Sequence, residues 1–212
     1  MVFRIRSNII ELCEISLYLK EKTAIIHSEE RAMGKNVLVI SSSLRVTSNS
    51  AILAHEIVRG ATEAGHEAEF LSLAEKDINF CTGCLACQRS HVCTINDDMS
   101  MIVDKVKYAD VLVFATPVYY YGMSGQLKTM LDRLNPLYGS DYRFREVYAV
   151  CTAADDAEGT ENGVVSGIEN WLSCFEDAKL KGVLFCGGVD GPGDVIVRHD
   201  VMERAYLLGA KV

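Results

Sequence analysis

From Lys35 onward the chain alternates short apolar strand-like runs with amphipathic helical stripes, and this alternation leaves few folds open. Val37-Leu38-Val39-Ile40 is an apolar, β-branched run of the kind buried on both faces of a sheet. Residues 49–65 carry Ile52, Leu53, Ile57, Val58 and Ala61 on a helical stripe that closes on a glycine. Residues 68–73 alternate as a second strand. Residues 97–110 set Met99, Ile102, Val103 and Val106 at helical spacing, and 111–115 form another buried strand. Residues 125–134 align Leu127, Met130, Leu131 and Leu134 on one helical face. A strand over 147–151, a helix over 164–180, a strand over 183–186 and a helix over 200–208 complete the series. Five apolar strands separated by helices predict an α/β domain: a doubly wound, five-stranded parallel sheet with helices on both faces. Such sheets bind ligands at the carboxyl ends of their strands, beside the topological switch point. Chemistry is therefore expected in the loops after Ile40, Ala115 and Cys151.

Residues 1–33 do not join this pattern. Ile9, Ile10, Leu12, Ile15, Leu17 and Leu19 fit neither a period of 3.6 nor one of 2, and charged runs follow them. The segment is expected to be an appendage to a domain spanning 34–212, with Met33 as an alternative natural start. Lys and Arg number 21 against 29 Asp and Glu, a net charge of -8. A chain so acidic is not expected to bind nucleic acid or anionic membrane, both of which draw on a basic excess. The most apolar early stretch is broken by Glu11 and Glu14, so neither a spanning helix nor a signal-peptide core is expected. These readings predict a cytoplasmic protein.

The loop after the first strand, Ser41-Ser42-Ser43-Leu44-Arg45-Val46-Thr47-Ser48-Asn49-Ser50, offers five serines, a threonine and an asparagine. An ordinary helix cap needs one such residue. Arg45 adds a fork that matches phosphate geometry, and the helix start behind Ser48 adds unpaired N–H groups and a positive dipole end. A phosphate site is expected here. There is no GxxxxGK[ST] and no GxGxxG after this strand, which excludes the common nucleotide loops. The glycines at 187, 188, 191 and 193 follow the last strand and read as a turn.

After the third strand comes Thr116-Pro117-Val118-Tyr119-Tyr120-Tyr121-Gly122-Met123-Ser124-Gly125. Three consecutive tyrosines cannot all be buried, because their side chains diverge around the backbone. A flat aromatic ligand gives them a reason to stand at a binding edge, and Gly122 and Gly125 let backbone approach it. A surface turn at an oligomer contact is the plainer alternative.

Together these loops resemble the NAD(P)H-dependent FMN reductase family, which is flavodoxin-like. The resemblance rests on Val37–Ile40, Ser43-Leu44-Arg45, Ser48-Asn49-Ser50, Pro117-Val118-Tyr119, the Gly122–Lys128 run and Asp132-Arg133, and covers about residues 35–210. It implies noncovalent FMN, with Ser43, Arg45, Ser48, Asn49 and Ser50 holding the phosphate. Pro117, Val118, Tyr119, Tyr120, Tyr121, Gly122 and Met123 would line the ring, and backbone at Thr152 and Ala153 would meet its pyrimidine edge. NAD(P)H would be the co-substrate, with no catalytic acid or base required. A homodimer or homotetramer is implied as well. Where relatives show a glycine and a proline in the first loop, this chain has Ser42 and Leu44.

Of eight cysteines, Cys81, Cys84, Cys87 and Cys93 fall within thirteen residues. Disulfides rarely persist in the cytoplasm. Four thiols at this spacing suit a cubane iron–sulfur cluster, tetrahedral zinc, or free redox thiols. The run resembles the iron–sulfur flavoproteins, a branch of the same family, which implies a [4Fe–4S] cluster beside the flavin. His91 lies within the run and reads as a surface residue. Cys13, Cys151, Cys174 and Cys186 stand apart and read as small buried hydrophobes. The expected reaction is hydride transfer from NAD(P)H to FMN and onward reduction of a small-molecule or protein acceptor. An electron carrier without a nicotinamide site is the alternative, and a zinc-stabilised interaction domain a third.

Overall fold

The computed structural model describes residues 34–212. The expected appendage, Cys13 and the alternative start at Met33 lie outside the described residues.

The chain builds β1 (Asn36–Ser41), α1 (Asn49–Glu63), β2 (Glu67–Ser72), α2 (Cys87–Ser90), α3 (Met99–Tyr108) and β3 (Val111–Tyr119). It continues through β4 (Gly122–Met123), α4 (Gly125–Arg133), β5 (Glu146–Thr152), α5 (Asn162–Leu172), β6 (Lys179–Cys186) and α6 (His199–Gly209). Short 3-10 turns at Asn135–Leu137 and Asp194–Val197 follow α4 and precede α6. Five strands are parallel in the order β2-β1-β3-β5-β6, and β4 adds a sixth, antiparallel to the end of β3. This is the flavodoxin-like order, with the chain reversing direction across the sheet between β1 and β3.

Strand side chains alternate between faces. Leu38, Ile40, Leu112, Phe114, Val147 and Ala149 pack under α3, α4 and α5 through Ile102, Val106, Leu127, Met130, Val164 and Ile168. Val37, Val39, Val111, Val113, Val150 and Leu184 pack under α1 and α6 through Leu53, Ile57, Val201 and Ala205. Helices cover both faces of the sheet, and the polar loops gather at the carboxyl ends of its strands.

Three boundaries differ clearly from the sequence reading. The helix expected over 164–180 ends at Leu172, and β6 starts at Lys179, four residues before the expected strand. β6 is an edge strand whose Lys179 and Lys181 turn outward, a polar alternation that imitates a helix tail. In consequence Cys174 falls in a turn and is exposed, correcting its reading as buried; Cys151 and Cys186 are buried. Burial pushes the Cys151 thiol up to about 12. The third strand also runs past Ala115 to Tyr119, with Pro117 beyond the last residue paired to β1. A proline is tolerated there because its missing N–H costs β1 no hydrogen bond. Among the described residues no helix is long and apolar enough to cross a membrane.

Candidate functional site

At the carboxyl ends of β1, β3 and β5 a cavity of 190 Å³ opens between the first loop and the loops after β5 and β6. Ser43, Arg45, Ser48 and Asn49 line one side, Pro117, Val118 and Tyr119 the floor, and Thr152, Ala153, Ala154, Val189 and Asp190 the rest. A larger cavity of 740 Å³ lies at the amino ends of β1 and β2. Its charged lining is Glu67, Glu69, Asp104 and Lys105, with Lys105 already paired to Glu69 at 2.7 Å. Converging donors, rather than volume, select the smaller cavity.

The first loop is built around α1's start. Ser48 is the N-cap, its Oγ accepting the Ala51 N–H at 3.3 Å. The first turn of a helix has no internal acceptors for its N–H groups, and those of Asn49 and Ser50 have no backbone partner among the described residues. Ser43 Oγ accepts the Arg45 N–H at 3.3 Å, and Arg45 Nη1 donates to the Asp190 carbonyl at 2.7 Å. That contact lays the guanidinium across the cavity mouth.

Two of the expected donors act differently. The Asn49 amide donates to the Gly191 carbonyl at 2.9 Å, and its oxygen accepts the Val195 N–H at 3.1 Å. Its side chain ties down the loop after β6. Ser50 is fully buried with its Oγ 3.0 Å from Ser48 Oγ, outside the cavity lining. The glycine-rich stretch after β6, read as a turn, is a wall of the site through Val189 and Asp190.

The second loop is a tight hairpin. Tyr119 pairs with Gly122 and Val118 with Met123, and the two central residues, Tyr120 and Tyr121, have φ of 49° and 63°. Positive φ at both positions is a type I′ turn, which bulky residues adopt only under strain. The turn is held from behind: a Cβ at Gly163 of α5 would collide with the Tyr121 carbonyl, and one at Gly167 would meet Met123 Cε at 2.6 Å. Tyr121 Oη donates to Asp155 at 3.3 Å. The three tyrosines are exposed, as their succession requires, yet Tyr119 alone of them lines the cavity. Tyr120, Tyr121, Gly122 and Met123 do not.

A buried hydroxyl chain that the sequence reading missed couples the two loops. Ser124 Oγ donates to Ser42 Oγ at 2.8 Å, and Thr116 Oγ1 accepts the Ser124 N–H at 3.1 Å. Ser124 also caps α4, accepting the Leu127 N–H. Its Ser-x-x-Leu spacing before a helical stripe was the available signal. In the third loop the Ala153 N–H is committed to the Cys186 carbonyl at 3.1 Å, so it does not serve a ligand's pyrimidine edge. Thr152 is buried beside it.

The cysteine run lies along α4. Ile78 and Phe80 border a 350 Å³ cavity with Leu44, Gly125 and Thr129 near α4's start. Further on, Arg133 at α4's end forms an ion pair with Asp97 at 2.6 Å, and both side chains are buried. Asp97 also accepts the Asn79 and Met99 N–H groups. Burial works against its charge, but Arg133 and these N–H bonds prevail and hold its carboxyl at about 2. Cys87 is buried, Cys93 half-buried, Cys81 and Cys84 exposed. The Ala86 N–H and the Thr94 and Thr82 hydroxyls pull the Cys84 thiol below its ordinary range. Among the described residues no three His, Cys, Asp or Glu side chains are grouped to hold a metal ion. The donor set nonetheless suits a thiolate-bound centre, since Asn135 and Arg133 direct N–H groups at Cys87 and Cys93. His91, at φ 54°, lies 3.2 Å from the Pro136 carbonyl through Nδ1.

A flavodoxin-like sheet with a polar cavity at its switch point defines a doubly wound α/β protein with a candidate ligand site at its strand ends. Comparison with known proteins narrows the class. The family model for NADPH-dependent FMN reductase matches residues 35–164. An iron-sulfur flavoprotein of Methanocaldococcus jannaschii is 39% identical over 183 residues, covering 83% of this chain and 94% of that protein. An iron-sulfur flavoprotein of Archaeoglobus fulgidus is 34% identical, over 82% of this chain and 76% of that one. The chain belongs to the NADPH-dependent FMN reductase family, in its iron–sulfur flavoprotein branch, and is an oxidoreductase. Its fold is shared with an NAD(P)H:quinone oxidoreductase from Methanothermobacter marburgensis, at a TM-score of 0.67 and 20% identity, over 84% of this chain and 95% of that one.

Proposed function

We propose that the protein binds FMN in the 190 Å³ cavity and its open mouth, accepts hydride from NAD(P)H and delivers electrons to a second acceptor. The observation that carries this reading is the convergence of Ser43, Arg45 and the α1 start on one cavity whose floor is Pro117–Tyr119. Bound FMN supplies a two-electron hydride acceptor able to release electrons one at a time, and a [4Fe–4S] cluster supplies a one-electron relay.

The protein's own part is binding and orientation. Arg45 and the N–H groups of Asn49 and Ser50 offset a phosphate dianion, and Ser43 Oγ stands beside them. Ser42, Ser124 and Thr116 fix the distance between this loop and the Tyr119 hairpin. Pro117, Val118 and Tyr119, held in place by the hairpin, would contact the flat ring. No side chain of the cavity is assigned a proton transfer. Cys81, Cys84, Cys87 and Cys93 would hold the cluster. Relatives named iron-sulfur flavoproteins support the reading that a cluster is present.

A second reading is an electron carrier with no nicotinamide site. Exposed Phe80, Leu85 and Val92 beside the cysteines favour it, as apolar surface that a protein partner would bury. In either reading the protein is cytoplasmic and a homodimer or homotetramer.

The test is an absorbance spectrum of protein purified without oxygen, with iron and sulfide assays and titration by NADH and NADPH. Flavin and cluster absorbance that both bleach with NAD(P)H support the main reading. Bleaching only by one-electron donors selects the carrier. Protein that takes up neither FMN nor iron and sulfide contradicts both.

A further inference from the structure

The buried polar groups at the end of α4 have no part in holding FMN. The Arg133 side chain is 1% exposed and forks onto Asp97, Nη1 to Oδ2 at 2.6 Å and Nη2 to Oδ1 at 2.8 Å. Nη1 also donates to the Asn79 carbonyl at 2.6 Å, and Nη2 to Cys93 Sγ at 3.6 Å. Two residues on, Asn135 Nδ2 donates to Cys87 Sγ at 3.1 Å. A buried ion pair holds a fold no better than well-packed apolar residues of similar volume. What it adds is an N–H fork fixed in direction, here toward a sulfur.

The other two sulfurs stand differently. Among the described residues Cys81 Sγ accepts the backbone Gly83 N–H, at 3.5 Å, and Cys84 Sγ meets the Ala86 N–H and the Thr82 and Thr94 hydroxyls, the last at 3.8 Å, with no amide or guanidinium side chain on either. Both cysteines are exposed. The four therefore divide into a pair anchored by side-chain amide and guanidinium groups and a pair on an open arm. Neutral thiols are weak acceptors, and one buried and one half-buried thiol do not by themselves call for side-chain amide and guanidinium donors.

We propose that Asn135 and Arg133 are positioning residues that hold Cys87 and Cys93 by N–H···S hydrogen bonds as the anchored half of a four-sulfur iron site, Asp97 aiming the guanidinium. The inference rests on the iron–sulfur reading above. N–H donors on ligating sulfur offset part of the added negative charge when a cluster is reduced, so they raise its potential. They also orient the ligands, and losing such a partner lowers metal affinity by about 10- to 100-fold.

The experiment compares wild type with Asn135→Leu, which keeps volume and removes the donor, and with Arg133→Lys, which keeps the charge and removes the fork. Each is reconstituted with iron and sulfide without oxygen. Cluster midpoint potential, iron retention against a chelator and FMN stoichiometry are measured. Both variants are expected to retain FMN, to show a more negative cluster potential, and to lose iron at about 10- to 100-fold lower chelator concentration. Loss of the cluster with FMN retained also supports the proposal. An unchanged potential and iron retention in both variants overturns it while leaving the iron–sulfur reading intact. A wild-type protein that forms no cluster overturns both. Should Asn135→Leu not fold, Asn135→Ser and Arg133→Lys carry the same comparison.

Discussion

The walls of the 190 Å³ cavity and the cysteine loop are held by different means. The cavity is made of strand ends and a helix start, linked by Ser42, Ser124 and Thr116, all fully or almost fully buried. The cysteine loop has one four-residue helix, Cys87–Ser90, and hangs largely on the Arg133–Asp97 pair. Phe80 is 79% exposed and Val92 64%. A phosphate needs only a few fixed donors, which the edge of a parallel sheet already supplies. A centre ligated from all sides needs the chain wrapped around it, and such sites rarely stand preformed without their metal. One region is therefore expected to be rigid before its ligand arrives, and the other to gain much of its order from it.

The largest way to break this contrast is at the ion pair. Asp97→Ala leaves the Arg133 charge buried and unpaired, which costs about 3–5 kcal/mol. In a domain of this size that lowers Tm by about 10 °C, measured calorimetrically. A drop under about 2 °C would show that the loop is held by something else.

The same pair gives a pH signature. The Asp97 carboxyl is held at about 2, below its ordinary 3.8, so its contribution to stability is complete above that ordinary value. As pH falls from roughly 4 toward 2 the contribution, about 2 kcal/mol, is lost. Urea unfolding of wild type and Asp97→Asn should therefore differ at pH 6 and converge near pH 2. A constant difference over that range would place the pair's worth elsewhere than in its charge.

Ser124→Ala sharpens the other side of the comparison. It removes the α4 cap and the Ser42 link, for about 1 kcal/mol, and should weaken FMN several-fold while leaving iron content unchanged. Equal damage to both would mean that the two regions are not independent.

The parts of this architecture visible in the sequence are those written in apolar periodicity. All five parallel strands announce themselves by runs such as Val37–Ile40, and the first loop by its density of short polar side chains around Arg45. What escaped was polar and buried. Arg133, Asp97, Thr116 and Ser124 look like solvent-facing helix and loop residues until tertiary structure encloses them. The hairpin at Tyr120-Tyr121 escaped because its type I′ turn lacks the usual Asn-Gly and is imposed by α5 through Gly163. The start of β6 was hidden by its outward lysines.

On the proposed reading the loop after β1 holds the phosphate of FMN, an assignment open to direct test. It is tested most directly by titrating wild type and Arg45→Ala with FMN and with riboflavin, which lacks the phosphate. A charge-assisted contact is worth roughly 1.5–3 kcal/mol, so Arg45→Ala should weaken FMN by about one to two decades and leave riboflavin nearly unchanged. Equal losses for the two ligands, or no loss for FMN, would contradict the assignment.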